Sequence, residues 1–260
     1  MDKRITIPIG KIKKETETVY TFTFFYDLKA KPGQFIMLTD LEGGEKPFSI
    51  ADCTENEFSI TVKKIGEFTT RLFKKNVGDL ISIRGAYGSS FFISKKKVLL
   101  VGGGYGIPPL YFLSKELLKN KADITVVNGA RTKDDLLFSD RFLENNLRYI
   151  LITDDGSENR KGTVVDVVNE LLEKESFDMI YSAGPDKMMK ALQNRIKDID
   201  YEFLFERYMK CAIGICGQCT LDPIGIRVCV EGPVLGKKLV EQLTEFGKYH
   251  RDAAGKRIEY

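Results

Sequence analysis

The chain has 260 residues, enough to bury a large core in one domain or to divide into two or three. Its 43% hydrophobic and 30% charged residues are those of a soluble globular protein. With 40 basic and 37 acidic residues the net charge is +3, which gives no support for a nucleic-acid partner, since that draws a concentrated basic footprint.

Residues 1–10, MDKRITIPIG, lack the apolar core of a secretory signal, so the expected location is the cytoplasm, where thiols stay reduced and disulfides are disfavoured. Residues 1–96 then read as short β-rich runs: ITIPIGKIKKETETVYTFTFFY, QFIMLTDL, FSIADC, FSITVKKI and LISIRGAYG. Lys31-Pro32-Gly33, Glu42-Gly43-Gly44 and Val77-Gly78-Asp79 supply turns between them. With no helical pattern in between, the stretch predicts a small antiparallel barrel or sandwich. At Lys97 the pattern changes. KVLLVGGG, DITVVNGA, RYILITDDG and DMIYSAG read as strands, and PPLYFLSKELLKN, VVDVVNELLEK and DKMMKALQNRIKD as helices. This alternation predicts a parallel sheet covered by helices over 97–205. EFLFE is a last strand that leads into residues 206–260, which hold four of the five cysteines. The fold class is therefore multidomain: an antiparallel β-barrel domain, an α/β parallel-sheet nucleotide domain, and a small C-terminal cysteine module. The longest apolar stretch, residues 98–113, carries four glycines and two prolines and is too short to cross a bilayer, so no membrane association is expected.

Three turns of the α/β part follow strands. VGGGYGIPP sits between a strand and a helix, where unpaired N–H groups can hold a pyrophosphate. Its Gly102, Gly104 and Gly106 form G-x-G-x-G, which fails the strict G-x-G-x-x-G fingerprint, so the stretch alone is weak evidence and a tight turn without a ligand is the rival reading. Pro108 and Pro109 fit a first helical turn. Thr153-Asp154-Asp155-Gly156-Ser157 and Ser182-Ala183-Gly184-Pro185 end later strands and line a crevice only if the strands converge.

Cys211-x4-Cys216-x2-Cys219-x9-Cys229 reproduces the spacing of plant-type [2Fe–2S] sites. Gly214 and Gly217 allow the tight loop that must wrap such a cluster. Zinc is the rival, although four-cysteine zinc sites favour two C-x2-C knuckles and only one is present. Cys53 reads as a small buried residue. His250, the only histidine, lies in a polar segment and reads as solvated; with so little acid–base equipment no residue is singled out as catalytic.

Together these segments resemble the ferredoxin-reductase-like flavoproteins and, more closely, the family of dihydroorotate dehydrogenase B electron transfer subunits. Lys46-Pro47-Phe48-Ser49 occupies that family's Arg-Pro-x-Ser motif, with lysine for arginine. The stretch from Thr61 to Leu72 is similar to its second flavin motif, with Gly66 and Thr69 kept and Phe68 replacing a glycine. RGAYG, GGGYGIPPL, NGARTKDDLLF, ITDDGS, SAGPDKMMKAL and ERYMKCAIGICGQC match further segments. The resemblance implies FAD on Lys46, Pro47, Phe48, Ser49, Thr61, Val62, Lys63, Gly66, Phe68 and Thr69. It implies NAD on Gly102, Gly103, Gly104, Gly106, Asp154, Gly184 and Pro185, and a [2Fe–2S] cluster on Cys211, Cys216, Cys219 and Cys229. The domains become FAD (1–96), NAD (97–205) and cluster (206–260). A further flavin barrel of about 250 residues does not fit in the chain. The implied partner is thus an FMN-containing dihydroorotate dehydrogenase catalytic subunit, in a heterotetramer serving pyrimidine biosynthesis. Alternatives are a diaphorase-type subunit of a hydrogenase or sulfide dehydrogenase, or a zinc-stabilised protein without redox function.

Overall fold

The computed structural model describes residues 4–40, 44–94, 96–145 and 147–260. Residues 1–3, Leu41, Glu42, Gly43 and Lys95, which fall in the segments and turns read above, lie outside the described residues.

The first part contains β1 (Ile5–Pro8), β2 (Lys11–Lys14), β3 (Val19–Phe24), β4 (Phe35–Asp40), β5 (Gly44–Cys53), β6 (Phe58–Lys63), α1 (Glu67–Leu72) and β7 (Leu80–Tyr87). Among the described residues its strands form one antiparallel sheet, ordered β1-β7-β4-β5-β6-β3-β2. The sheet curls around Phe22, Phe24, Ile36, Leu38, Ile50 and Ile60 as an open half-barrel with β1 and β2 at its edges. Period-two alternation gives β4 two tasks. Ile36 and Leu38 enter this core, while Phe35 and Met37 join the core of the rest of the chain. The helix α1 departs from the all-strand expectation. Thr69 Oγ1 accepts the N–H groups of Ile65 (2.9 Å) and Gly66 (3.1 Å), and Phe68 and Leu72, four apart, are buried. Six residues are too few to print a helical period on the sequence.

The second part runs β8 (Lys97–Gly103), α2 (Ile107–Lys119), β9 (Asp123–Ala130), α3 (Ser139–Leu143), β10 (Arg148–Thr153), α4 (Val164–Lys174), β11 (Met179–Ala183), α5 (Asp186–Gln193) and β12 (Asp200–Leu204). Its strands are parallel in the order β10-β9-β8-β11-β12, as the alternation predicts. Leu99, Val101, Val127 and Ile180 face one side, and Val98, Leu100, Val126 and Tyr181 the other. Pro108 and Pro109 lie in the first turn of α2. That helix also joins the first two parts. Leu110, Leu113 and Leu117 pack on the sheet, Phe112 enters the half-barrel core, and Lys115 Nζ reaches the Asp52 carboxylate at 2.7 Å.

The third part holds β13 (Thr220–Leu221), β14 (Ile226–Arg227), β15 (Val234–Gly236), α6 (Lys237–Val240), β16 (Tyr249–Arg251) and β17 (Arg257–Glu259). β15 pairs antiparallel with β12 and so extends the parallel sheet. The second and third parts share one core. The Phe246 ring lies 6.2 Å from Phe203 and 4.9 Å from Phe205, and Cys219, Leu221, Val228 and Cys229 belong to the same cluster. Phe246→Ala is expected to cost about 3–5 kcal/mol in urea unfolding. Far-ultraviolet dichroism and tyrosine fluorescence should follow a single transition for residues 97–260; two separate transitions would mean independent cores.

Candidate functional site

Strand order brings the turns together. β8 lies beside β11, but the chain continues from β8 towards β9 on one side and from β11 towards β12 on the other. Ligands bind outside the carboxyl ends of strands at such a switch point. A single 3₁₀ turn, Gly104–Gly106, and residues 184–186 stand there. Gly106 is obligatory, because a Cβ would lie 2.3 Å from the Ala183 carbonyl oxygen. A Cβ on Gly102 would lie 2.3 Å from the Ile107 side chain and one on Gly103 2.5 Å from the Met188 sulfur, so these three glycines serve the packing of the turn. Gly104 differs: its φ is +54° and nothing lies within 4 Å of where a Cβ would stand, which leaves its backbone open to a ligand.

From this crevice a cleft of about 760 Å³ runs to the half-barrel, within the range of about 300–1,000 Å³ usual for cofactor pockets. Pro47, Phe48 and Ser49 of β5, Thr61, Val62 and Lys63 of β6, Thr69 of α1, and Gly184 and Pro185 all line it, with Tyr105 and Pro108. Lys46 stands behind this wall. Its Nζ donates to the Tyr208 hydroxyl at 2.9 Å and lies 4.4 Å from the centre of that ring, which itself lines the cleft. Phe68 is buried with its ring 6.0 Å from Phe48, and Gly66 is exposed at the start of α1. Gly102, Gly103, Gly104 and Gly106 shape the crevice without lining the cleft, and Asp154 stands exposed after β10, its N–H on the Ala130 carbonyl.

Two stretches of the wall were not expected from sequence: residues 206–209 and residues 250–253 of the β16–β17 hairpin. His250, expected to be solvated, is half-buried in the cleft wall with its ring centre 5.0 Å from that of Tyr260. Among the described residues, its Nδ1 and Asn128 Oδ1 are the buried side-chain polar atoms without a hydrogen-bond partner. The residue lines the cleft, but its unpartnered Nδ1 is buried behind the wall. A signal was present: Asp252-Ala253-Ala254-Gly255 between two short β-type runs is a hairpin pattern. Asp252 Oδ1 indeed accepts the N–H groups of Ala254 (2.8 Å) and Lys256 (2.9 Å). Cys53 is half-buried at the end of β5, where burial raises its thiol pKa.

Charge is concentrated where the three parts meet. The Arg207 guanidinium lies between the Asp186 carboxylate (2.8 Å) and Glu245 (3.1 Å), all three side chains being almost fully buried. Glu206, the next residue back, is exposed at the cleft. The protein around it, and then the Asp186 charge, push its pKa up to about 7 against the opposing effect of Arg207. The Glu206 charge, then burial, raise the pKa of Tyr105, whose ring centre lies 5.4 Å from Lys63 Nζ.

In the cysteine loop the sulfurs stand as two pairs. The Cys216 N–H points to Cys211 Sγ (3.5 Å), and the Cys229 N–H to Cys219 Sγ (3.4 Å). Among the described residues no three cysteine, histidine or carboxylate side chains converge on one point. The pairs differ in exposure: Cys216 is exposed, while Cys219 and Cys229 are buried. Burial would raise the Cys211 pKa, but the N–H groups of Cys216, Ile213 and Ile215 outweigh it and bring it to about 6. Burial, then the Cys219 thiol, push Cys229 up to about 12. Gly214, at φ +78°, lets the loop close: a Cβ would lie 2.7 Å from Val230, and its carbonyl accepts Arg227 at 3.0 Å. Two thiol pairs, three members on the 211–219 loop and Cys229 beyond the β13–β14 hairpin, fit a binuclear cluster, in which each iron takes two thiolates, better than a single tetrahedral ion.

A half-barrel and a switch-point crevice that share a cleft, followed in the chain by a four-cysteine module, define a ferredoxin-reductase-like flavoprotein with an iron–sulfur module. Residues 100–194 match the oxidoreductase NAD-binding domain, and residues 206–241 match the iron–sulfur cluster binding domain of dihydroorotate dehydrogenase B. The chain is 43% identical, over the whole of both chains, to a Methanocaldococcus jannaschii protein named a probable dihydroorotate dehydrogenase B (NAD(+)) electron transfer subunit. A Methanothermobacter thermautotrophicus protein of the same name is 40% identical, with 98% of this chain and 97% of that one covered. A chain of the NADH-dependent reduced ferredoxin-NADP oxidoreductase, solved in work on flavin-based electron bifurcation, superposes with a TM-score of 0.82 at 32% identity over 95% of each chain. This chain belongs to the family of dihydroorotate dehydrogenase B electron transfer subunits. It is an oxidoreductase subunit whose cofactors are FAD, an iron–sulfur cluster and NAD.

Because the folded state raises the Glu206 pKa, it holds a proton that the unfolded chain releases, and stability falls as pH climbs from about 4.5 to 7. Glu206→Gln should therefore raise the melting temperature of the cofactor-free chain at pH 8, with the gain shrinking towards pH 5. A gain that does not change with pH would contradict the raised pKa.

Proposed function

We propose that this chain passes electrons between NAD and the FMN of a separate, dihydroorotate-oxidising catalytic subunit, by way of FAD and a [2Fe–2S] cluster. The setting is pyrimidine biosynthesis in the cytoplasm, and the assembly a heterotetramer. One observation carries the reading. Met209 lines the same cleft as Pro47, Thr61 and Gly184, and Cys211 follows it by two residues. The flavin-type wall and the residues after the nucleotide crevice therefore share one space, and the cysteine loop begins where that wall ends. When bound, a flavin converts two-electron exchange with nicotinamide into one-electron exchange with an iron–sulfur centre.

The residues divide accordingly. FAD is assigned to Pro47, Phe48, Ser49, Thr61, Val62, Lys63 and Thr69, with Lys46, Gly66 and Phe68 supporting them from behind. Lys46 brings a point charge in place of the fork an arginine would offer. NAD is assigned to the switch point, on Gly104, Gly184 and Pro185, with Gly102, Gly103 and Gly106 shaping the turn and Asp154 at a neighbouring strand end. Cys211 and Cys216 would hold the outer iron, Cys219 and Cys229 the inner one. The outer pair lies beside Ile213 (47% exposed), Ile215 (80%) and Val230 (42%), an apolar surface suited to the catalytic subunit. Among the described residues no helix is long and apolar enough to cross a membrane.

The similarity to the ferredoxin-NADP oxidoreductase chain favours a second reading, in which the same relay serves a partner of that kind. Co-purification with an FMN-containing chain and dihydroorotate-dependent reduction of NAD⁺ would support the first; reduction by NADPH and ferredoxin alone would favour the second. Within either, Cys229→Ser should abolish the electron paramagnetic resonance signal of the reduced cluster while FAD still binds at saturating concentration. Cys53→Ser should leave both unchanged. A cluster signal that survives Cys229→Ser would remove Cys229 from the ligand set.

A further inference from the structure

The β16–β17 hairpin lies outside both matched segments, 100–194 and 206–241, yet it supplies residues 250–253 to the cleft wall. Its ties run to the cysteine module. Gln218, between Cys216 and Cys219, donates from Nε2 to the Asp252 carbonyl at 2.8 Å. Asp222 accepts from the Tyr249 hydroxyl at 2.8 Å and also from Arg251 and Arg257. The Asp222 N–H is in turn held by Glu245, at 2.9 Å, through the oxygen that does not face Arg207. A lining residue of the cleft is thus bonded directly to a side chain inside the cysteine loop.

We propose that the hairpin is a binding element for FAD, latched to the cysteine loop through Gln218, so that the flavin and the cluster bind cooperatively. The inference rests on the FAD and cluster assignments made above. The physical route is short. A cysteine loop tied by four thiolates to two irons has one conformation, which fixes Gln218, and Gln218 fixes the backbone of Asp252 in the wall. Without the cluster, ordering the loop has to come from the flavin's own binding energy, and its affinity falls by that amount. FAD is the ligand concerned, because a cluster exchanges electrons singly and only the flavin, not nicotinamide, can meet it on those terms. The hairpin offers residues 250–253 to it, with the half-buried His250 imidazole among them, while both backbone groups of Asp252 are spent on Lys256 and Gln218 and so hold the wall in shape. Coupling of this kind is reciprocal, so bound FAD must also slow the loss of the cluster.

The test uses the full chain, prepared with its cluster and without it, and measures FAD affinity by quenching of flavin fluorescence. Cluster loading should tighten FAD binding by about tenfold, within the usual range of coupling between sites. In Gln218→Ala the two preparations should bind FAD equally, both as weakly as the cluster-free wild type, with the resonance signal of the loaded cluster unchanged. Hydrogen exchange of the amides in 249–259 should slow on cluster loading in the wild type and not in the variant. Equal FAD affinity of the two wild-type preparations, or full tightening in Gln218→Ala, overturns the inference alone. A wild-type chain that binds no FAD in either state overturns the functional reading beneath it. Should the variant load the cluster poorly, the wild-type pair decides.

Discussion

One buried guanidinium sets how the three parts of this chain meet. An arginine taken out of water and left without a partner costs about 3–5 kcal/mol. Arg207 is buried, so Asp186 at the start of α5 and Glu245 in the third part must both close on it. With Arg207 held there, the segment after β12 has little freedom. Phe203 and Phe205 pack against Phe246, while Glu206 and Tyr208 remain at the cleft. Tyr208 then receives Lys46 from the half-barrel, which draws the first part into the same junction. A single ion triad thereby orders the route from the nucleotide crevice to the cysteine loop.

The same chemistry is placed in two environments a few residues apart. Backbone N–H groups hold the Cys211 thiol low, while burial and a neighbouring thiol hold Cys229 high. Cys211 is therefore largely ready as thiolate near neutral pH, and Cys229 has to release its proton when metal binds. The buried pair shares its core with the nucleotide-type sheet, and the exposed pair adjoins the apolar residues Ile213 and Ile215. The loop has an inward and an outward side, as a centre that passes electrons from one body to another requires.

Much of the site was legible in the chain itself. Pro47, Phe48, Ser49, Thr61, Val62, Lys63, Thr69, Gly184 and Pro185 were singled out by motif, and all of them line one cleft. Motifs of this kind survive in sequence because a ligand or a tight turn restricts several neighbouring residues at once. Glu206 and Tyr208 fall in a segment matched only as part of the cysteine module, and His250 beside a hairpin pattern, so nothing local marked them as part of the wall. Their place in the wall depends on which strands pair and on a hairpin folding back from residues far along the chain, and neither is a property of a short window. The glycine turn went the other way. Four glycines looked alike, yet Gly106 is required by the Ala183 backbone, Gly102 and Gly103 are crowded by the Ile107 and Met188 side chains, and of the four only Gly104 is open.

Alternation of apolar residues, the helical period and the x4, x2 and x9 cysteine spacing are local, and by themselves they determined the order of antiparallel β part, parallel sheet and cysteine module and favoured an iron–sulfur cluster over zinc. Tertiary structure alone decided that β15 would join β12, that the cysteine module would share a core with the sheet, and that the 249–259 hairpin would complete the cleft. The reason is that these contacts join residues tens of positions apart. Their energy comes from burying Phe246 and pairing Arg207, and neither residue reveals its partner until the chain has closed around it.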